Sequence, residues 1–315
     1  MTGPDPPVVL ALRAPGMGDL LTAVPALRAL RRGFPEARLV LATPAPLAGL
    51  AGLVGGVDDV VDADGPGSLR WCGPPPRLAV NLHGSGPQSI DALRATRPDA
   101  LLTHRHPDRP DVSGPSWSPD THEVRRWCGL LATHGLDADP EDLDLAVPAD
   151  PPAAAKGAVV VHPGAAHRAR RWPPTRFAAV ARALHDDGHR VVVTGGPGER
   201  DLTAAVSRAA GLPAGADLGG HAGPVRLAAL VAAARLLVCG DTGPAHLATA
   251  YRTPSVLLFG PTPPDRWGPL REPERHLVLW RGERGDPHGD RPHPGLLAIG
   301  TGEALAAARA HLARS

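Results

Sequence analysis

Lysine is almost missing from this chain. Lys156 is the only one, so arginine carries nearly all the positive side-chain charge. An excess of either sign is missing too: 33 basic residues stand against 32 acidic ones, for a formal net charge of +1. That balance argues against a general nucleic-acid binder, which needs a basic field to meet phosphates, although it leaves room for a local basic groove. Cysteine is scarce. Cys72, Cys128 and Cys239 stand far apart with no CxxC pair, and an odd number argues against a disulfide framework. A reducing cytoplasm is the location this pattern fits. Apolar runs are short, and none reaches the about 18 residues of a membrane-spanning helix, so no integral membrane segment is expected. The opening MTGPDPPVVLALR lacks a basic region followed by a long apolar core and is not read as a signal peptide. Heptads and sequence repeats are also lacking.

What is plentiful is proline, glycine and alanine. With 38 Pro and 37 Gly the composition reflects a GC-rich genome, so these residues are read as turn signals only at strand ends. The chain has 315 residues, of which 43% are hydrophobic and 21% charged. That describes a folded protein with material for two cores, in domains of about 150 residues each.

Short β-branched runs alternate with Ala/Leu/Arg-rich helical stretches. Strands are expected at 8–13, 38–43, 60–63, 78–82 and 100–103. Helices are expected at 19–32, with Leu20, Leu21, Val24, Leu27 and Leu30 on one face, and at 47–53. The Pro/Ala-rich stretch 148–156 reads as a linker, dividing the chain into domains 1–150 and 151–315. After it the alternation restarts, with strands at 158–162, 190–194, 236–239, 255–259 and 276–280. Helices follow at 175–186, 198–210, 225–234 and 245–251, with a closing helix at 302–313. Such alternation predicts parallel sheets covered by helices, and two such domains in tandem leave a cleft between their strand ends, where ligands bind. Residues 104–122 have little period and read as a loop, open to motion.

Four strand-to-helix junctions carry unusual residues. At Arg13-Ala14-Pro15-Gly16-Met17-Gly18-Asp19, glycines allow close approach of the backbone to a ligand. Asp19 is either a helix N-cap or a carboxylate able to take a proton from a hydroxyl, and the two can coexist. His162-Pro163-Gly164 leads to Arg168, Arg170 and Arg171, which suit a diphosphate or simply form a solvated basic loop. Thr194-Gly195-Gly196-Pro197-Gly198-Glu199 opens a helix. Glu199 there either complements the dipole or binds a sugar hydroxyl. Asp241-Thr242-Gly243-Pro244-Ala245-His246 combines a cap, a first-turn proline and a histidine within reach of an anion at the helix start. The histidines at 104, 106 and 122, and at 288 and 293, match no zinc template, so no metal and no cofactor are expected.

Together these junctions set anion-binding elements in the second domain against a carboxylate in the first, which suits group transfer from a phosphate-linked donor to a hydroxyl. The chain resembles glycosyltransferase family 9, the ADP-heptose:lipopolysaccharide heptosyltransferase family, over nearly its whole length. The resemblance rests on LRAPGMGDLLTAVPALRALRRGFPEARL, VVHPGAAHRARRWPPTRFAAVA, VVVTGGPGERDL and CGDTGPAHLATAYRTPSVLLFGPTPPDRWGP. It implies an α/β GT-B fold, with two Rossmann-like domains facing across a cleft. The first is the acceptor domain and the second the nucleotide-sugar donor domain. It also implies an inverting, metal-independent transfer with Asp19 as general base. Gly18, Gly164, Arg170, Glu199, Asp241, Thr242, Gly243 and His246 fall on donor-contacting positions.

This chain departs from the family pattern in three places. The phosphate-binding lysine is Arg170, which keeps the charge but changes the hydrogen-bond geometry. Small hydroxyl residues after the His-Pro-Gly turn are replaced by Ala165 and Ala166. Near the C-terminus, where many members carry cysteines, this chain has GDPHGDRPH. The implied partners are a nucleotide-diphospho sugar, most simply ADP-linked, and a glycan, lipid-linked or small-molecule acceptor. Peripheral contact with the inner membrane face is left open. The rival readings are a GT-B sugar-nucleotide epimerase and a non-catalytic nucleotide-sugar-binding protein with a degenerate site.

Overall fold

The computed structural model describes residues 5–149 and 151–314. It divides into two compact units, with the break between Ala146 and Val147.

In the first unit the strands are β1 (Val8–Leu12), β2 (Arg38–Thr43), β3 (Asp59–Asp62), β4 (Leu78–Asn81) and β5 (Leu101–Leu102). The helices are α1 (Met17–Thr22), α2 (Val24–Gly33), α3 (Ala48–Gly52), α4 (Gln88–Arg94) and α5 (Glu123–Ala132). All strand pairs are parallel, in the order β3-β2-β1-β4-β5. Every residue of β1 is buried, as expected for a strand covered on both faces. The expected helix at 19–32 is two helices, broken at Ala23, whose N–H bonds back into α1 while Pro25 lies in the first turn of α2.

In the second unit the strands are β6 (Val159–His162), β7 (Val191–Val193), β8 (Leu236–Gly240), β9 (Ser255–Leu258) and β10 (His276–Leu279). The helices are α6 (Pro174–Asp186), α7 (Arg200–Ala210), α8 (Pro224–Ala233), α9 (Gly243–Tyr251), α10 (Pro264–Trp267), α11 (Pro294–Leu297) and α12 (Thr301–Leu312). This sheet is also wholly parallel, in the order β10-β9-β8-β6-β7. Its core joins strand valines and leucines to Trp172, Phe177 and the buried face of α12. Trp172 packs edge-on to Phe177 at 5.0 Å and donates its indole N–H to the Ile299 carbonyl at 3.1 Å.

In each sheet the strand order reverses at one point. Chain connections leave in opposite directions there, so a crevice opens beyond the carboxyl ends of the two central strands. In the first unit those strands are β1 and β4; in the second they are β6 and β8. The loops after β1, β6 and β8 are three of the four junctions singled out by sequence.

Candidate active site

Each unit carries a polar cluster at its crevice. In the first unit Asp19 stands in the first turn of α1, two residues past the helix start. Gly16 is the N-cap, so the expectation that Asp19 itself caps is corrected. Gly16 lacks a side chain to satisfy the helix N–H groups. Asp19 instead reaches back, and its Oδ2 accepts from the Gly16 N–H at 3.2 Å. Gly18 lies inside the same turn, part of the helix rather than of the glycine bend before it.

Beneath Asp19 lies Arg13, only 2% exposed. Its Nε donates to the Asp19 carbonyl at 2.8 Å and its Nη1 to the Leu82 carbonyl, beyond β4, at 2.6 Å. Its Nη2 meets three acceptors: Glu123 Oε1 at 2.9 Å, Thr22 Oγ1 at 3.1 Å and Asp19 Oδ1 at 3.2 Å. Glu123 opens α5 and is buried; its second oxygen accepts from Arg126 Nε at 3.0 Å. Burial alone would raise the Glu123 carboxyl, but Arg13 and Arg126 hold it below its ordinary value, so it is ionised. The Arg13 guanidinium lies 4.9 Å from the Trp127 ring centre, and Arg126 lies 3.8 Å from that of Trp117. His83 accepts the Ala14 N–H at 3.1 Å, and burial with Arg13 nearby lowers it to about 4, so it is neutral there.

Residues 104–122 are not an open loop. The Arg105 N–H bonds to the Pro115 carbonyl at 3.0 Å, Arg109 pairs with Asp91 on α4, and His104 packs against Trp117 and Trp127. An open cavity of about 510 Å³ is lined by Arg105, His106, Arg109, Val112 and Trp117, among others.

In the second unit the cluster follows β6, β7 and β8. Glu199 folds back over the glycine turn, its Oε2 accepting from the Gly196 N–H at 2.9 Å. Its carboxylate lies against the Cα of Gly164, so a Cβ there would fall inside the carboxyl group. His162, at the end of β6, is buried beneath. Its Nδ1 shares a hydrogen bond with Thr194 Oγ1 at 3.0 Å, and its Nε2 lies 3.9 Å from Glu199 Oε2. Burial lowers the His162 pKa, and Glu199 opposes that shift.

Arg170 ends a short turn of 3₁₀ helix and joins the β6 loop to the β8 loop. Its Nη1 donates to the Asp241 carbonyl at 3.3 Å and lies 3.9 Å from Asp241 Oδ2, while its buried Nε has no hydrogen-bond partner among the described residues. Asp241 is buried, but it does not cap; Thr242 is the N-cap of α9, with Gly243 and Pro244 in the first turn. His246 follows within that turn, its ring 6.0 Å from Trp267. The second unit thus brings Gly164 together with Glu199, and Arg170 with Asp241 at the start of α9. Asp19 and Gly18 belong to the cluster of the first unit.

The segment 285–293 is tied to the arginine turn. Ala169 donates to the Gly289 carbonyl at 3.1 Å and accepts from the His293 N–H at 3.2 Å, and His288 meets His167 at 3.0 Å.

Sequence reasoning missed Glu123, Arg126 and His162 as site residues. For Glu123 a signal was available: positions 123, 127 and 130 form a helical stripe with Trp127 and Leu130, which places a carboxylate on a core face, where it needs a cation.

A family model described as glycosyltransferase family 9 (heptosyltransferase) matches residues 116–288, more than half of the chain. The lipopolysaccharide heptosyltransferase 3 of Escherichia coli is 36% identical over 127 residues, which cover 40% of this chain and 37% of that protein. The match therefore spans little more than a third of that relative's length. Among solved structures, a glycosyl transferase family 9 protein from Veillonella parvula superposes with a TM-score of 0.80 at 19% identity, covering 100% of this chain and 99% of that one. The E. coli ADP-heptose lps heptosyltransferase II gives a TM-score of 0.76 at 20% identity, covering 97% and 98%. At such identities these two structures establish the α/β fold of heptosyltransferases.

Proposed function

The chain belongs to glycosyltransferase family 9, and from that premise we propose that it transfers a sugar, heptose or a close relative, from a nucleotide-diphospho donor to an acceptor hydroxyl. The observation that carries the reading is the β6–β8 crevice. Arg170, whose buried Nε has no hydrogen-bond partner among the described residues, lies beside the start of α9, whose dipole favours an anion. A diphosphate is an anion of matching charge and size. Glu199, held by the Gly196 N–H over Gly164, is placed to accept hydrogen bonds from the ribose of the nucleoside. ADP is the nucleotide we favour, because the structurally similar E. coli enzyme uses ADP-heptose by its name.

Asp19 takes the proton of the acceptor hydroxyl as that oxygen attacks the anomeric carbon. The bond to the diphosphate breaks on the opposite face, so the anomeric centre inverts. Charge builds on the leaving diphosphate, where Arg170 and the α9 N-terminus meet it together with Thr242, Gly243 and His246. Such preorganised donors can supply the stabilisation that a metal gives in other transferases. The acceptor is a glycan of the cell envelope or another hydroxyl compound bound by the first domain. Among the described residues no helix is long and apolar enough to cross a membrane, so a lipid-linked acceptor would be met from the membrane surface.

Thermal melting against a panel of nucleotides and nucleotide sugars tests the donor site. A ligand at about 100 times its Kd adds about 2.7 kcal/mol of stability. A selective rise with ADP-linked sugars is expected; no rise with any nucleotide would favour the degenerate-site alternative. Conversion of donor without acceptor into an isomer would favour the epimerase. Asp19→Asn should retain donor affinity and lose transfer by about 10²–10⁴-fold, and unimpaired transfer by that variant removes Asp19 from the chemistry.

A further inference from the structure

The Arg13 cluster has a consequence for Asp19. Arg13 Nη2 carries two hydrogens and meets three acceptors, so those acceptors compete. Glu123 has the shortest of the three contacts and Asp19 Oδ1 the longest, 2.9 Å against 3.2 Å. The other Asp19 oxygen receives the Gly16 N–H, also at 3.2 Å. Arg13 and Glu123 are both buried, whereas the Asp19 side chain is 28% exposed. The titratable groups around it in this unit include Arg13 just past β1, Glu123 and Arg126 on α5, and His83 after β4, joined through Ala14. Arg13 thus lies between two carboxylates, and Glu123 between two arginines. Without Glu123, the Arg13 charge that Glu123 now shares would fall more fully on Asp19, and a carboxylate held that way is a weaker base.

We propose that Glu123 is a positioning residue for the transfer: by taking the shortest hydrogen bond of the Arg13 Nη2, it keeps Asp19 loosely held and basic. This rests on the reading of Asp19 as general base. Arg13 then serves two ends. Through its Nε it fixes the Asp19 backbone, and through its Nη2 it divides its charge between a buried carboxylate and the working one. Thr22 joins the competition, since its hydroxyl accepts from Arg13 and donates to the Asp19 carbonyl at 2.8 Å.

The test is the titration of Asp19 in the full-length protein, followed by carbon NMR of labelled aspartate carboxyls and assigned with Asp19→Asn. In Glu123→Gln the Asp19 midpoint should fall by about one pH unit. Glu123→Asp, which keeps the charge, should restore it. Release of ADP from ADP-heptose with water as acceptor should fall about 3- to 10-fold in Glu123→Gln at unchanged KM, because weaker bases are poorer proton acceptors in the transition state. Should Glu123→Gln fail to fold, Thr22→Val removes a competing acceptor and should move the midpoint the same way by less. An Asp19 midpoint that stays put in both variants overturns the proposal. A shifted midpoint with full ADP release by Asp19→Asn would instead overturn the general-base reading on which it rests.

Discussion

Gly164 shows how one hydrogen can decide where a carboxylate sits. The Glu199 carboxylate rests on the Gly164 Cα, where any side chain would stand. In Gly164→Ala the added methyl must push Glu199 away from the Gly196 N–H. Donor affinity should fall about tenfold or more, in line with the loss of a charge-assisted hydrogen bond, while folding is largely kept; titration calorimetry with ADP measures it. Arg170→Ala removes the cation at the β6–β8 crevice and should weaken ADP-sugar binding more than binding of the uncharged nucleoside adenosine. Equal effects on both would place Arg170 away from the phosphates. Glu199 and Asp19 were legible because each follows a glycine bend at a strand end. Glu123 and His162 were not, because their roles depend on partners far along the chain: Arg13 is 110 residues from Glu123, and Glu199 lies on a different strand-end loop from His162.

Among elements, the strands were the most legible. Strands buried on both faces demand continuous apolar runs, and such runs are visible without a partner. The helix α5 was not recognised, although it supplies Glu123, Arg126 and Trp127. It follows a long aperiodic segment, and its buried face mixes charge with apolar residues. The segment 104–122 read as an open loop because its anchors are not periodic: an aromatic cluster, an ion pair to α4 and Gly114 pressed against the Thr103 carbonyl. Gly114→Ala should therefore destabilise the first unit by about 1–3 kcal/mol, the usual cost of forcing atoms into a filled space. A denaturant midpoint equal to that of the parent would contradict the tight packing. Trp172→Ala in the second unit should cost about 3–5 kcal/mol, since it removes a buried indole from the core.

For the whole molecule, buried and half-buried histidines contribute to the pH dependence of stability. Burial lowers His83, His104 and His276 to about 4, well below the ordinary 6.5. The unfolded chain therefore binds more protons than the folded one between about pH 6.5 and 4. Their contribution is fully present above that window and is lost as pH falls through it. The melting temperature should drop steadily from pH 7 to pH 4.5, with each kcal/mol worth about 2–4 °C in units of this size. A flat melting temperature across that window would show that these histidines are not held neutral by the fold.

The alternation of strands and helices and the four glycine-bearing junctions were legible in the sequence. Each of these depends on local periodicity, on turn chemistry or on a motif contiguous in the chain. Only the tertiary structure decided the strand orders, and with them which junctions lie beside the crevices. It also showed that Arg13, Glu123 and Arg126 form one buried charge cluster. Strand order follows from how helices cover a sheet as a whole, and a buried charge cluster is stable only when residues from distant segments meet in the same desolvated space.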